Sequence, residues 1–127
     1  MKNNIVGWFE IPVKDMERAI RFYETILDVR LTPVKILSFE MAMFPEIEGG
    51  LGCSGALMLQ NKDFIPSREG VLIYITPPSG DLANELSKVD AAGGIVLQEK
   101  ELITEEIGYW GIFLDTEGNR IGIHSRK

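Results

Sequence analysis

With 127 residues, 45% of them hydrophobic and 25% charged, the chain is expected to form one small globular domain with a real core, which excludes a disordered tail or a fibre. A net charge of -6 argues against nucleic acid as a partner, because phosphates require a basic face. A single cysteine, Cys53, excludes an internal disulfide, and after Met1-Lys2-Asn3-Asn4 there is neither a signal-peptide core nor an apolar run long enough to cross a bilayer. A cytoplasmic protein without a membrane partner is expected.

From Ile5 to Val13 the residues alternate, with Phe9, Ile11 and Val13 on one face and Trp8, Glu10 and Pro12 on the other, as in a strand. Asp15 is a helix N-cap, since its carboxylate can accept from the free amides of the first turn, and Glu17 favours the positive end of the helix dipole. Met16, Ala19, Ile20, Tyr23, Ile26 and Leu27 form one apolar stripe, which predicts a helix ending near Leu27. Strands are predicted over roughly Val29–Val34 and Ile36–Phe44, with Pro33 near the break between them. A glycine-rich loop, Gly49–Gly55, precedes a strand over Ala56–Gln60. This loop formally matches the G-x-G-x-x-G nucleotide fingerprint, but a strand follows it where that motif needs a helix. It is read instead as a mobile loop on a cavity rim. Cys53 within it has no histidine nearby in sequence and reads as an inert thiol.

The second half repeats the plan. Val71, Ile73 and Ile75 oppose Leu72, Tyr74 and Thr76 on a strand that Pro77-Pro78-Ser79-Gly80 ends. Asp81 caps a helix with the stripe Leu82, Leu86 and Val89, and Gly93-Gly94 stops it. Strands follow near Ile95–Leu97, Trp110–Leu114 and Arg120–His124, with Asp115-Thr116-Glu117-Gly118-Asn119 turning between the last two. The fold class is therefore α+β. Two βαβββ modules, about 5–60 and about 70–125, form a curved, mixed, mostly antiparallel sheet around a concave pocket, with the helices on its outer face.

The stretch Glu10-Ile-Pro-Val-Lys-Asp-Met-Glu-Arg-Ala-Ile-Arg-Phe-Tyr23 resembles the opening strand and helix of the vicinal oxygen chelate superfamily. That superfamily includes glyoxalase I, bleomycin-resistance proteins, fosfomycin-resistance enzymes and extradiol dioxygenases. Asp115-Thr-Glu-Gly-Asn-Arg-Ile-Gly122 is similar to its closing hairpin, and Ala91-Ala92-Gly93-Gly94 to the end of its second helix. The likeness runs from about Val6 to Ser125 and is greatest to a glyoxalase-related branch. It implies the fold strongly and the reaction weakly, because one architecture carries many chemistries.

The resemblance also implies a divalent metal held by His, Glu or Gln on the first and last strands of each module. Carried over, those positions are Trp8, Met58, Leu72 and Gly122, none of which offers a suitable nitrogen or oxygen donor. Shifting a strand by one residue would turn its apolar face outward. No metal and no other cofactor is therefore expected.

The same alternation places Trp8, Glu10, Met58, Gln60, Leu72, Tyr74, Thr76, Gly122 and His124 on the pocket side. Glu10 is a candidate acid or base, since loss of solvent there penalises its charged form; a wet cavity or a pairing with Arg120 are the alternatives. His124, the single histidine, is a candidate proton shuttle or an idle surface group. Tyr74 is a candidate acid or hydrogen-bond donor, or simply packing. Trp8, Met58, Gln60, Leu72 and Thr76 are candidate ligand contacts, and at most one of Tyr109 and Trp110 can point inward.

Two readings stay open beside a purely structural or partner-binding domain, which a pocket-forming fold disfavours. One is a metal-independent enzyme of isomerase or lyase type, acting on a small organic substrate through Glu10 and His124. The other is a non-catalytic protein that binds or sequesters a small molecule, as bleomycin-resistance proteins do. Family members often pair as dimers, so a homodimer is a further expectation.

Overall fold

Among residues 4–127, which the computed structural model describes, the chain forms β1 (Glu10–Val13), α1 (Met16–Leu27), β2 (Thr32–Ile36), β3 (Phe39–Met43) and β4 (Ala56–Leu59) in its first half. The second half forms β5 (Tyr74–Ile75), α2 (Leu82–Ala92), β6 (Ile95–Thr104), β7 (Gly108–Leu114) and β8 (Arg120–Ser125). Met1, Lys2 and Asn3, part of the polar start noted above, lie outside the described residues. No helix among the described residues is long and apolar enough to cross a membrane.

The two helices start where the capping residues predict. Asp15 accepts from the Arg18 amide and Asp81 from the Ala83 amide. Gly93 closes α2 at φ +105, a left-handed conformation that a side chain would strain. Four strand predictions need correction. β1 begins at Glu10, not Ile5, because β4 supplies partners only from Ala56 onward. The β2–β3 break falls at Leu37-Ser38, and Pro33 sits inside β2; that strand is at the sheet edge, where a missing N–H costs least. β5 shrinks to the two residues that pair with Gly122 and Ile123. β6 extends to Thr104, carried by its pairing with β7 through several bulges.

The strands form two four-stranded sheets, in the orders β1-β4-β3-β2 and β5-β8-β7-β6. In each, the first strand of the module runs parallel to the last and the remaining pairs are antiparallel. The paired βαβββ architecture is thus present, with one sheet per module. Both sheets turn one face to a shared core, where Ile11, Val13 and Leu57 meet Phe22, Tyr23 and Ile26 of α1, Leu82, Leu86 and Val89 of α2, and Phe113, Ile121 and Ile123. Burial of such side chains contributes roughly 1.5–3 kcal/mol each.

Candidate functional site

The first sheet is apolar on both faces. Its core face is covered by α1, while its other face gathers a second cluster of Met41, Ala56 and Met58 with Val34, Phe39, Met43 and Phe64. Register explains the cluster: Met41 lies directly opposite Met58 across β3 and β4, and Met43 opposite Ala56. A cavity of about 340 Å³ opens on this face, lined by Trp8, Glu10, Ile36, Phe39, Met41, Met43, Met58 and Phe64. Phe39 and Phe64 meet edge to face with centroids 6.0 Å apart. Met41 and Met58 are buried, whereas Trp8 is 44% exposed and stands at the rim.

Glu10 is the one charged group in this lining and is half-buried. No hydrogen bond or ion pair to a described residue engages its carboxylate; the two ion pairs among the described residues are Arg18–Glu117 and Lys100–Asp81. The pairing with Arg120 considered from sequence is not formed, and the Arg120 Nε is itself buried without a partner.

The corresponding face of the second sheet is built differently. Tyr74 lies opposite Gly122, and a Cβ placed on Gly122 would stand 2.7–3.0 Å from the Tyr74 ring. His124 shares that face with Trp110, its register partner on β7. The His124 Nε2 lies 2.7 Å from the Ile107 carbonyl. A carbonyl only accepts, so this contact assigns the proton to Nε2. Trp110 donates its Nε1–H to Glu101, 3.1 Å away, and Tyr109 turns to the opposite face, where the Lys100 ammonium sits 4.4 Å from its ring centroid.

The residues singled out from sequence therefore separate. Trp8, Glu10 and Met58 meet in the cavity, whereas Leu72, Tyr74, Thr76, Gly122 and His124 belong to the second module and do not line it. Gln60, just past β4, is exposed. One pocket shared by both halves was expected, but the sheets are joined through their helices and the 115–119 turn, so the faces stay separate. Sequence alternation missed Ile36, Phe39, Met41, Met43 and Phe64. The apolar runs around them were visible, but their convergence depends on β3 lying between β2 and β4.

The four positions that the family resemblance assigns to metal ligands do not fit a divalent ion. Trp8, Met58 and Leu72 carry no nitrogen or oxygen lone pair suited to one, and the Tyr74 ring fills the space a side chain at Gly122 would need. Among the described residues no three His, Cys, Asp or Glu side chains gather as a metal site.

A polar cluster that sequence reading took for a simple turn joins the modules. Tyr23 donates to Asp115 at 2.6 Å, and Asn119 donates to the Pro12 carbonyl at 2.7 Å. Glu117 accepts from the amides of Lys14 and Asp15 and from Arg18, at 2.8–2.9 Å. It thus sits as an anion at the start of α1. Burial works against the Glu117 charge, but the hydrogen bonds from Arg18, Thr116 and the two amides outweigh it and hold its pKa near 2. Burial raises the pKa of Asp115 above the ordinary carboxylate value, against the opposing pull of its donors Tyr23 and Asn119. It also drives the Tyr23 hydroxyl well upward, helped by the Asp115 charge.

Comparison with known proteins agrees with this architecture. The chain superposes on glyoxalase I from Zea mays with a TM-score of 0.65 and 20% identity, covering 94% of this chain and 45% of that one. It thus spans about half the length of that relative. The antibiotic-binding protein TnmS3 from Streptomyces sp. CB03234 matches over 100% of this chain and 99% of its own, with a TM-score of 0.63 and 20% identity. A glyoxylase/bleomycin resistance protein/dioxygenase domain from Frankia sp. EAN1pec matches at a TM-score of 0.68 and 16% identity, covering 98% of each chain. At such identities the likeness speaks for the fold alone. No curated protein sequence matches the chain significantly. The sequence model of the Glyoxalase/Bleomycin resistance protein/Dioxygenase superfamily matches residues 5–123, and to that superfamily the chain belongs.

Proposed function

We propose that this protein binds and sequesters a small, largely apolar molecule in the first-module cavity, without a metal. The observation that carries this reading is the lining: seven apolar side chains, three of them methionines, surround one carboxylate in a space of about 340 Å³, a size and composition suited to a small-molecule site. Methionine side chains adapt to a ligand's outline and contact aromatic rings favourably. TnmS3, of the same fold and length, is an antibiotic-binding protein, which adds support.

The enzymatic reading, proton transfer by Glu10 with His124 and Tyr74, keeps one observation in its favour, the unpartnered carboxylate facing an apolar cavity. His124 and Tyr74 do not line that cavity, which favours binding over turnover. The reading treats the chain as a single cytoplasmic domain. It includes a homodimer in which the apolar rim, with Ile36, Leu37 and Ile65 all exposed, is covered by a second copy.

The test is calorimetric titration of a fused-ring aromatic ligand into the metal-stripped protein, beside elemental analysis of the protein as purified. Micromolar binding that Phe64→Ala weakens about tenfold supports the proposal. One tightly held zinc, nickel, iron or manganese ion per chain would overturn its metal-free part, and turnover of the bound ligand that Glu10→Gln abolishes would establish the enzymatic reading instead.

A further inference from the structure

Resting on that binding site, the electrostatics of the lining narrow the ligand class. Glu10 lies on β1 opposite Ala56 and borders the cavity, and every other lining side chain is uncharged. No cation or hydrogen-bond donor among the described residues meets its carboxylate. A half-buried carboxylate without a partner is an incomplete arrangement, because the charge has lost part of its hydration and gained nothing in return. The aromatic side chains offer a second contact for a cation. Trp8, Phe39 and Phe64 border the cavity, and the face of each ring is negative. The whole chain carries -6, so the longer-range potential points the same way.

We infer that the cavity is selective for an aromatic cation: a planar apolar body held among the methionines and aromatic rings, with a positively charged nitrogen paired to Glu10. An anion of the same shape would meet the unscreened carboxylate in an otherwise uncharged lining. A neutral one would lose the ion pair but keep the apolar contacts, which separates charge selection from the binding site itself.

Three probes of one size distinguish these cases: N-methylacridinium, neutral acridine and acridine-9-carboxylate, titrated at pH 8 with tryptophan fluorescence and calorimetry as readouts. The expected order is cation, then neutral, then anion, with about tenfold or more between the first two, as a partly desolvated ion pair and ring-face contact would supply. Glu10→Gln is expected to reduce cation affinity about tenfold and to leave acridine within about twofold. Glu10→Lys should reverse the order of the two charged probes. Equal affinity for cation and neutral probe, or an unchanged order in Glu10→Lys with circular dichroism confirming the fold, would overturn this inference while leaving the binding site intact. Failure of all three probes to bind would overturn the site and the inference together.

Discussion

The two modules share a topology, yet the same faces and turns are put to different uses. On the first sheet, the face away from the helices is open and holds the methionine-lined cavity. On the second, the Tyr74 ring lies across Gly122, and the His124 Nε2 and Trp110 Nε1 are engaged by Ile107 and Glu101. The connections between the last two strands diverge as well. In the first module a long segment with glycines at 49, 50, 52 and 55 joins β3 to β4. In the second, five residues from Asp115 to Asn119 form a turn that reaches across to Pro12, Lys14, Asp15, Arg18 and Tyr23. One copy holds an open apolar cavity and the other supplies the turn that fastens the two modules together. A duplicated backbone therefore predicts shape, while the side chains at matched positions decide what each face presents.

This contrast can be broken most forcefully at the fastening. Glu117→Ala removes the acceptor for two helix-start amides and for Arg18, and its side chain is fully buried, so a loss of about 3 kcal/mol is expected in urea unfolding. A loss below about 1 kcal/mol would show that the turn merely rests on α1. The same group predicts an acid dependence. Its folded pKa, about 2, lies below its ordinary 4.5, so between those values the unfolded chain binds more protons than the native one. Stability from Glu117 is fully present above pH 5 or so and is lost as pH falls toward 2. Asp115, shifted upward by burial, contributes with the opposite sign and reduces the net slope. Glu117→Gln should flatten the dependence in this window, as read from unfolding midpoints at stepped pH.

A smaller effect is expected at Tyr23→Phe, which removes the shorter of two hydrogen bonds to the buried Asp115 Oδ2, leaves the Asn119 amide on it and costs about 1 kcal/mol. Smaller again is Gly122→Ala. Its Cβ meets the Tyr74 ring, but that ring is 52% exposed and can turn aside, so about 1 kcal/mol is expected. Combined with Tyr74→Ala the cost should vanish, and a cost that persists would place the conflict in the backbone. Smallest in stability is Trp8→Ala, within about 0.5 kcal/mol for a rim residue, although its effect on ligand affinity should be several-fold.

Much of the fold was legible in residues that act locally. Asp15 and Asp81 cap their helices and Gly93 ends α2, because these effects are settled within one or two turns of chain. The alternation from Trp8 to Val13 correctly divided core-facing Ile11 and Val13 from cavity-facing Trp8 and Glu10. Phe22 was missed from the stripe of α1, although it is buried against Phe113, because its partner lies in the other module. The role of Asp115, Glu117 and Asn119 was invisible for a similar reason. As letters they spell a turn, and only docking onto α1 turns the carboxylates into buried acceptors.

The sequence by itself determined the two βαβββ modules, the superfamily and the lack of metal-ligating side chains at Trp8, Met58, Leu72 and Gly122. These follow from side-chain identity and periodicity, which the chain carries before it folds. Tertiary structure alone decided which of the candidate residues share a cavity. Met41 and Met58 are seventeen positions apart and meet because β3 and β4 pair in one register, whereas Glu10 and His124 lie on different sheets. Strand order and module docking are collective outcomes of burying one common core, so no local pattern specifies them.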